Sequence, residues 1–368
     1  MDGALRDGEI HVGGDAKQRF HDSRGYGRPL TGDSIALAPV EAAHLLYRGD
    51  LDSVSGMGFR AFLASREPGF APRFLVYVDL RDRGFYLSPA RDGWIPEGID
   101  ATGDGRDEAS TGGGSDRDGT TPTDPDFVVY PRGKGPQNGA VAHRVTVVGE
   151  RAEIPGTALR PGVIAVADEE GDLTYLEVSA FDPDGETEFE PRGTVSGSLL
   201  DDRVLVLDPP GRLHEDGFYG QPLAGRGATH DVLHLSLLEA ADLAARGVLG
   251  IESGDGVEAI LDRGRAVEGE RFDRRLRVYR TLRDRHTAPR TGFKFGADFR
   301  VYRAVESAAD LGHSAFLVRV RRADHVFGPR DLALDVRMAH GVRKRMVFAL
   351  DGAKGEQTRW LAVSRLTP

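Results

Sequence analysis

Tyr302, His313 and Lys344 fall within one stretch, residues 291–345, which begins TGFKFGADFRVY, continues through GHSAFLV and ends MAHGVRKR. A tyrosine, a histidine and a lysine can together move protons and stabilise an oxyanion without a metal ion. No metal-ligand spacing accompanies them: the chain has no Cys and no HExxH, and no paired carboxylate stands beside the histidine. Taken singly, each residue has an ordinary role. A Tyr closing a strand packs, a lone His sits at a surface or in a core, and a Lys among arginines is solvated. The case for chemistry rests on the three occurring together.

The composition sets the surroundings. A chain of 368 residues has room for two to four domains. No run of about 18 apolar residues appears, so no membrane span is expected. MDGALRDGEI carries no signal-peptide pattern, which favours the cytoplasm. Five lysines (Lys17, Lys134, Lys294, Lys344 and Lys354) stand among 48 basic residues, against 58 acidic ones. An acidic, Lys-poor chain suits a high-salt cytoplasm, where carboxylates hold water at the surface; a GC-rich genome would also favour Arg over Lys. The charge is uneven. Residues 271–368 hold 22 Lys and Arg against 10 Asp and Glu, although the whole chain carries −10. A basic terminal segment on an acidic protein points to a polyanionic partner. A basic face docking on an acidic face of the same protein, or of a second copy, is equally open.

The elements that position the three residues come in duplicate. GALRDGEIHV (3–12) is echoed by GSLLDDRVLV (197–206), and YGRPL (26–30) by YGQPL (219–223). VEAAHLLYRGDL (40–51) is echoed by LEAADLAARGVL (238–249), and VYVDLRDRG (76–84) by VYRTLRDRH (278–286). The period is too long for a solenoid and reads as duplication of a whole subunit. The expected fold is α/β (α+β). Each repeat has a small N-terminal α/β subdomain (1–67 and 195–270) and a C-terminal α/β lobe (68–185 and 271–368), a mixed sheet flanked by helices. The helix of each subdomain, with Ala42, Leu45 and Leu46 or Ala240 and Leu243 at helical spacing, stops at Gly49 or Gly247. Each lobe opens with an amphipathic helix, Phe74, Val76, Tyr77 and Leu80 in one, Leu276, Tyr279 and Leu282 in the other. A further helix is expected near DLALDVRMAHGVRK.

The repeats diverge at the polar positions. DFVVY (126–130) stands opposite DFRVY (298–302), but Arg160-Pro161-Gly162 stands opposite Arg343-Lys344-Arg345, and Ala180 opposite Arg365. Repeat 1 reads as a degenerate copy that kept its fold and lost its polar constellation. Its insertion at 91–125, rich in Gly, Asp, Ser and Thr, is expected to be a disordered, solvated loop.

TGFKFGADFRVY, with HSAFLV and RMAHGVRKR downstream of it, resembles the archaeal tRNA-splicing endonucleases (tRNA-intron endonucleases), and the tandem repeats resemble their two-repeat, homodimeric class. The resemblance covers essentially the whole chain. It implies a metal-independent, cofactor-free endoribonuclease (tRNA-intron lyase) that cuts precursor tRNA at bulge–helix–bulge junctions, leaving 2′,3′-cyclic phosphate and 5′-hydroxyl ends. Tyr302 would take the proton of the ribose 2′-OH, His313 would protonate the departing 5′ oxygen, and Lys344 would stabilise the phosphorane. An ordinary tyrosine keeps its proton to about pH 10, so a tyrosine base near neutrality needs a cationic neighbour, and Lys344 is the candidate. The resemblance further implies that Arg337 and Arg365 sandwich an extruded bulge base, with Arg359 competing for the second place. It also implies that the acidic hairpin ADEEGD (167–172) of repeat 1 plugs into the basic catalytic lobe of a homodimer partner; a plain surface turn is the other reading. No membrane or DNA partner is expected. The alternatives are a non-catalytic RNA-binding or structural subunit, and a metal-dependent nuclease, whose acidic pair and lysine are not seen in residues 291–345.

Overall fold

The computed structural model describes every residue except 92, 96–98, 100–123, 224, 253–255, 311 and 353–356. The chain divides into two units, residues 1–179 with 326–334 and 364–368, and residues 180–325 with 335–363.

In the first unit, β1 (Asp2–Arg6), β2 (Glu9–Val12), β3 (Arg28–Pro29), β4 (Ile35–Leu37) and β5 (Ser53–Val54) form a sheet in the order β3-β4-β2-β1-β5. Asp7-Gly8 joins β1 to β2 with both residues at positive φ, the backbone a two-residue hairpin demands. Helix α1 (Pro39–Tyr47) starts at a proline and buries Ala42, Leu45 and Leu46, and Gly49 follows it at φ +73°. After α2 (Phe59–Ala64), α3 (Phe70–Asp82) buries Phe74, Val76, Tyr77 and Leu80. A second set of strands follows: β6 (Tyr86–Pro89), β7 (Phe127–Tyr130), β8 (His143–Gly149), β9 (Ile154–Pro155), β10 (Gly162–Ala167) and β11 (Leu173–Ala180). Their order is β6-β7-β8-β10-β11, with β8 and β10 parallel and the other neighbours antiparallel. The insertion expected to be disordered lies for the most part outside the described residues.

The second unit repeats this plan. Strands β12 (Val195–Leu199), β13 (Arg203–Leu207), β14 (Gln221–Pro222), β15 (Val232–Ser236) and β16 (Leu249–Ile251) are ordered β14-β15-β13-β12-β16. With them come α4 (Gly211–Glu215), α5 (Leu237–Ala245), α6 (Gly256–Glu268) and α7 (Glu270–Asp284). Ser236 and Glu239 close a capping box at the start of α5. The lobe sheet runs β17 (Ala288–Thr291), β18 (Phe299–Tyr302), β19 (Phe316–Arg322), β21 (Arg345–Asp351) and β22 (Arg359–Leu366), and again only the β19–β21 pair is parallel. Between them in sequence, β20 (Val326–Phe327) itself belongs to the first unit, where it pairs with β9. Leu276, Tyr279 and Leu282 of α7 pack into one core with Phe299, Val301, Phe316, Val318 and Val347.

A parallel pair needs a crossover, and here the repeats part. Repeat 2 crosses by α8 (Pro329–Gly341), which buries Leu332, Val336 and Ala339 and is tied to β19 by an Arg319–Asp335 pair at 2.6 Å. Repeat 1 crosses in residues 150–161, where the short β9 stands in place of a helix. The helix that leads into Lys344 therefore has no counterpart in repeat 1.

Equivalent buried positions of the subdomains also carry different charge. In the second unit the Tyr219 hydroxyl donates to Asp242 (2.9 Å), and Glu239 accepts from Gly220 N–H and pairs with Arg290, both at 2.9 Å. Burial alone would raise Glu239, but Arg290 and the backbone donors outweigh it and hold the carboxyl below its ordinary range. In the first unit Tyr26 Oη lies 2.9 Å from His44 Nδ1, and Glu41 accepts from Gly27 and Ala38 N–H at 2.8 Å. Burial lifts Glu41 to about 7 and holds His44 at about 4. Folded Glu41 keeps its proton more tightly than the ordinary 4.5, so its contribution favours the fold at low pH and declines as pH rises through about 7. Folded His44 gives its proton up more readily than the ordinary 6.5, so its contribution is present above 6.5 and is lost as pH falls toward 4. The opposed slopes, each on the order of 3 kcal/mol in full, nearly cancel. Glu41→Gln is therefore expected to lose stability relative to wild type on acidification from pH 7 to 5, and His44→Phe to gain it. Thermal denaturation of both variants across that range is the check; a flat Glu41→Gln difference would mean that Glu41 is already ionised in the fold.

Candidate active site

Strand pairing brings the three candidate residues to one end of the second unit's lobe sheet. Val301 pairs with Phe316, and Phe316 with Arg345. Tyr302, the residues just before Phe316, and Lys344 each lie beyond those positions, at the end of β18 and at the starts of β19 and β21. The Ala315 N–H donates to the Val301 carbonyl at 2.7 Å, which ties the His313-bearing segment to the strand of Tyr302. Lys344 follows α8 through Arg343, whose φ of +57° ends the helix and redirects the chain, and its own N–H donates to Ala339 O at 2.9 Å. Its ammonium donates to the Ser314 carbonyl, next to His313. Burial lowers the pKa of Lys344 from the ordinary lysine value. His313 is exposed, so its imidazole is reachable from solvent.

Tyr302 is only 8% exposed and forms a small apolar cluster with Phe218, Ala288 and Val305. The Phe218 ring meets it edge to face, with centroids 5.4 Å apart and planes at 81°. The Arg300 guanidinium lies 5.8 Å from the centre of the Tyr302 ring. Phe218 and Arg300 were not singled out from the sequence. One signal was available: YGRPL and YGQPL set Phe218 opposite Gly25, a bulky residue where the other repeat has glycine.

Arg337, on α8, and Arg365, near the end of β22, are both exposed. Arg359 pairs with Leu350, six residues along β21 from Lys344, which sets it about 20 Å from the Tyr302 end. Arg365 stands at the other end of Arg359's strand.

In repeat 1 the strand register puts Tyr130 at the position of Tyr302, fully buried, its hydroxyl donating to Ser88 at 3.0 Å. By the same register Gly162 stands where Met346 does, which sets Pro161 opposite Arg345 and Arg160, one residue earlier than the sequence alignment sets it, in the place of Lys344. The acidic segment 167–172 forms the turn between β10 and β11. Asp168 accepts the N–H groups of Glu170 and Asp172, Glu169 pairs with Arg151, and Glu170 and Asp172 are exposed. Among the described residues, no three His, Asp or Glu side chains gather as ligands for a metal ion, and no helix is long and apolar enough to cross a membrane.

Comparison with known proteins agrees with this layout. The family model for the tRNA intron endonuclease N-terminal domain matches residues 1–63 and again 195–260, and that for the tRNA intron endonuclease catalytic C-terminal domain matches 272–359. The chain is 58% identical to a tRNA-splicing endonuclease of Halobacterium salinarum and 55% identical to one of Haloferax volcanii, each alignment covering 100% of both chains. It is 33% identical to a tRNA-splicing endonuclease of Methanosarcina mazei over 98% of each chain. With both domain types matched, and with relatives aligned over the full length, the chain belongs to the tRNA intron endonuclease family.

Proposed function

We propose that this endonuclease excises introns from precursor tRNA at bulge–helix–bulge junctions without a metal ion, leaving 2′,3′-cyclic phosphate and 5′-hydroxyl ends. The observation that carries this reading is the arrival of Tyr302, the His313 segment and Lys344 at one sheet end, in the lobe that matches the catalytic domain. Tyr302 takes the proton from the ribose 2′-OH, and that oxygen attacks the adjacent phosphorus. Lys344 balances the negative charge that builds on the phosphorane. His313 hands a proton to the 5′ oxygen as its bond to phosphorus breaks. The nucleophile belongs to the RNA, so no water has to be activated.

Two cleavage sites on a symmetric substrate suit a homodimer with two identical catalytic lobes. The outward carboxylates Glu170 and Asp172 of the repeat 1 hairpin are available to a partner's basic lobe. Arg337 and Arg365 are the pair assigned to the bulge base, and the distance of Arg359 from the Tyr302 end supports Arg365 over it. Relatives from halophilic archaea fit the acidic, Lys-poor composition and a salty cytoplasm.

A labelled bulge–helix–bulge RNA incubated with the protein in high salt and EDTA tests the reading. Cutting at both junctions with cyclic phosphate ends is expected. Activity that needs an added divalent ion would overturn metal independence. Folded, dimeric protein that cuts neither junction would favour a non-catalytic RNA-binding subunit.

A further inference from the structure

We propose that Phe218, a residue of the N-terminal subdomain of repeat 2, is the positioning residue for Tyr302, and that Arg290 locks it in place. The proposal rests on the reading of Tyr302 as the base.

Phe218 has φ +52°, a left-handed backbone that bulky side chains seldom adopt, and such outliers persist where surrounding contacts impose them. Those contacts are present. The Phe218 N–H donates to His214 O at 3.0 Å. Arg290 donates to the carbonyls of Phe218 (3.1 Å) and Gly220 (2.8 Å), is paired with buried Glu239, and places its guanidinium 4.5 Å from the Phe218 ring centre. Arg283 holds the Gly217 carbonyl at 2.8 Å. The result is an aromatic ring fixed edge to face against Tyr302. Ala288, directly opposite Tyr302 across the β17–β18 pair, is small enough to leave room for it.

Repeat 1 fills the same space from the other side. Gly25 stands where Phe218 does, with the same left-handed backbone at φ +66°. Tyr86 takes the position of Ala288, and a Cβ on Gly25 would come within 2.6 Å of its ring. Ser88 takes the position of Arg290 and accepts the hydroxyl of Tyr130. The aromatic ring is thus supplied by the strand in the repeat that lacks the lysine, and by the subdomain loop in the repeat that has it. A tyrosine hydroxyl sits at the tip of its ring, so a slight tilt at Cβ moves it by about an ångström, enough to cost on the order of 100-fold in rate.

The test measures single-turnover cleavage at saturating enzyme, RNA affinity and thermal stability for Phe218→Gly, Phe218→Leu, Phe218→Tyr, Tyr302→Phe and the double variant Phe218→Gly/Tyr302→Phe. Phe218→Gly copies repeat 1 at a backbone glycine accepts. It is expected to slow cleavage by about 30- to 100-fold with affinity within about twofold of wild type. Phe218→Tyr keeps the ring and is expected to retain nearly the full rate. In the Tyr302→Phe background, Phe218→Gly is expected to cost nothing further, because its effect passes through the Tyr302 hydroxyl. A slow Tyr302→Phe beside a Phe218→Gly of wild-type rate would overturn the positioning role alone. So would an equal loss in both backgrounds, or a loss confined to affinity. A Tyr302→Phe that cuts at wild-type rate would instead overturn the base assignment. If Phe218→Gly fails to fold, Phe218→Leu decides by the same comparison, since it keeps bulk and removes the aromatic edge.

Discussion

His313→Ala is expected to slow single-turnover cleavage at both junctions by about 1,000-fold, within the 10²- to 10⁴-fold range of general acid catalysis, with RNA affinity nearly unchanged. The departing 5′ alkoxide is a poor leaving group, and a proton delivered as its bond breaks removes most of that difficulty. His313 suits the delivery: it is exposed where a phosphate can approach, and the chain just after it is held by Val301 and Lys344. A substrate with sulfur in place of the 5′ bridging oxygen isolates the role. A thiolate leaves without protonation, so His313→Ala should cut that substrate at close to the wild-type rate. A variant equally slow on the oxygen and sulfur substrates would show that His313 does something other than donate this proton. His143, at the start of β8 in repeat 1, is the control, and His143→Ala is expected to leave cleavage intact.

The duplication could be read from the sequence because the conserved words sit at turns and helix starts, where backbone geometry restricts the choice of residue. YGRPL and YGQPL contain the matching short strands β3 and β14, and Gly49 and Gly247 both adopt φ +73° after matching helices. The shared placement of the three candidate residues was legible for a related reason: Tyr302 closes one strand, and His313 and Lys344 stand ahead of two others, so a mixed sheet gathers them. The loss of the crossover helix in repeat 1 was harder to see, since residues 150–161 carry no helical period but no strong strand signal either. The parts that support Tyr302 were hidden. Arg290 and Arg300 are two among 43 arginines with nothing local to separate them, and their importance comes from partners distant in sequence, Glu239 and the Phe218 carbonyl in one case, the Tyr302 ring in the other. The left-handed backbone of Phe218 is a tertiary imposition that local preference argues against. The opposed titrations of Glu41 and His44 arise from burial of both groups, which residue type alone does not announce.

Lys344→Arg is expected to remove the alkaline fall in cleavage rate while lowering the plateau by about 10- to 100-fold, and Lys344→Ala to lose about 100- to 1,000-fold across the whole pH range. The reasoning runs through charge. Only the ammonium form can balance the phosphorane, so this part of the rate is present below the folded pKa of Lys344 and is lost above it. Burial lowers that pKa, so the wild-type rate should begin to fall at a pH below that of an ordinary lysine. A guanidinium stays charged throughout the accessible range, which abolishes the limb. Its planar fork cannot reproduce a point charge donating to the Ser314 carbonyl, which lowers the plateau. An alkaline limb that persists unchanged in Lys344→Arg would assign that titration to another group.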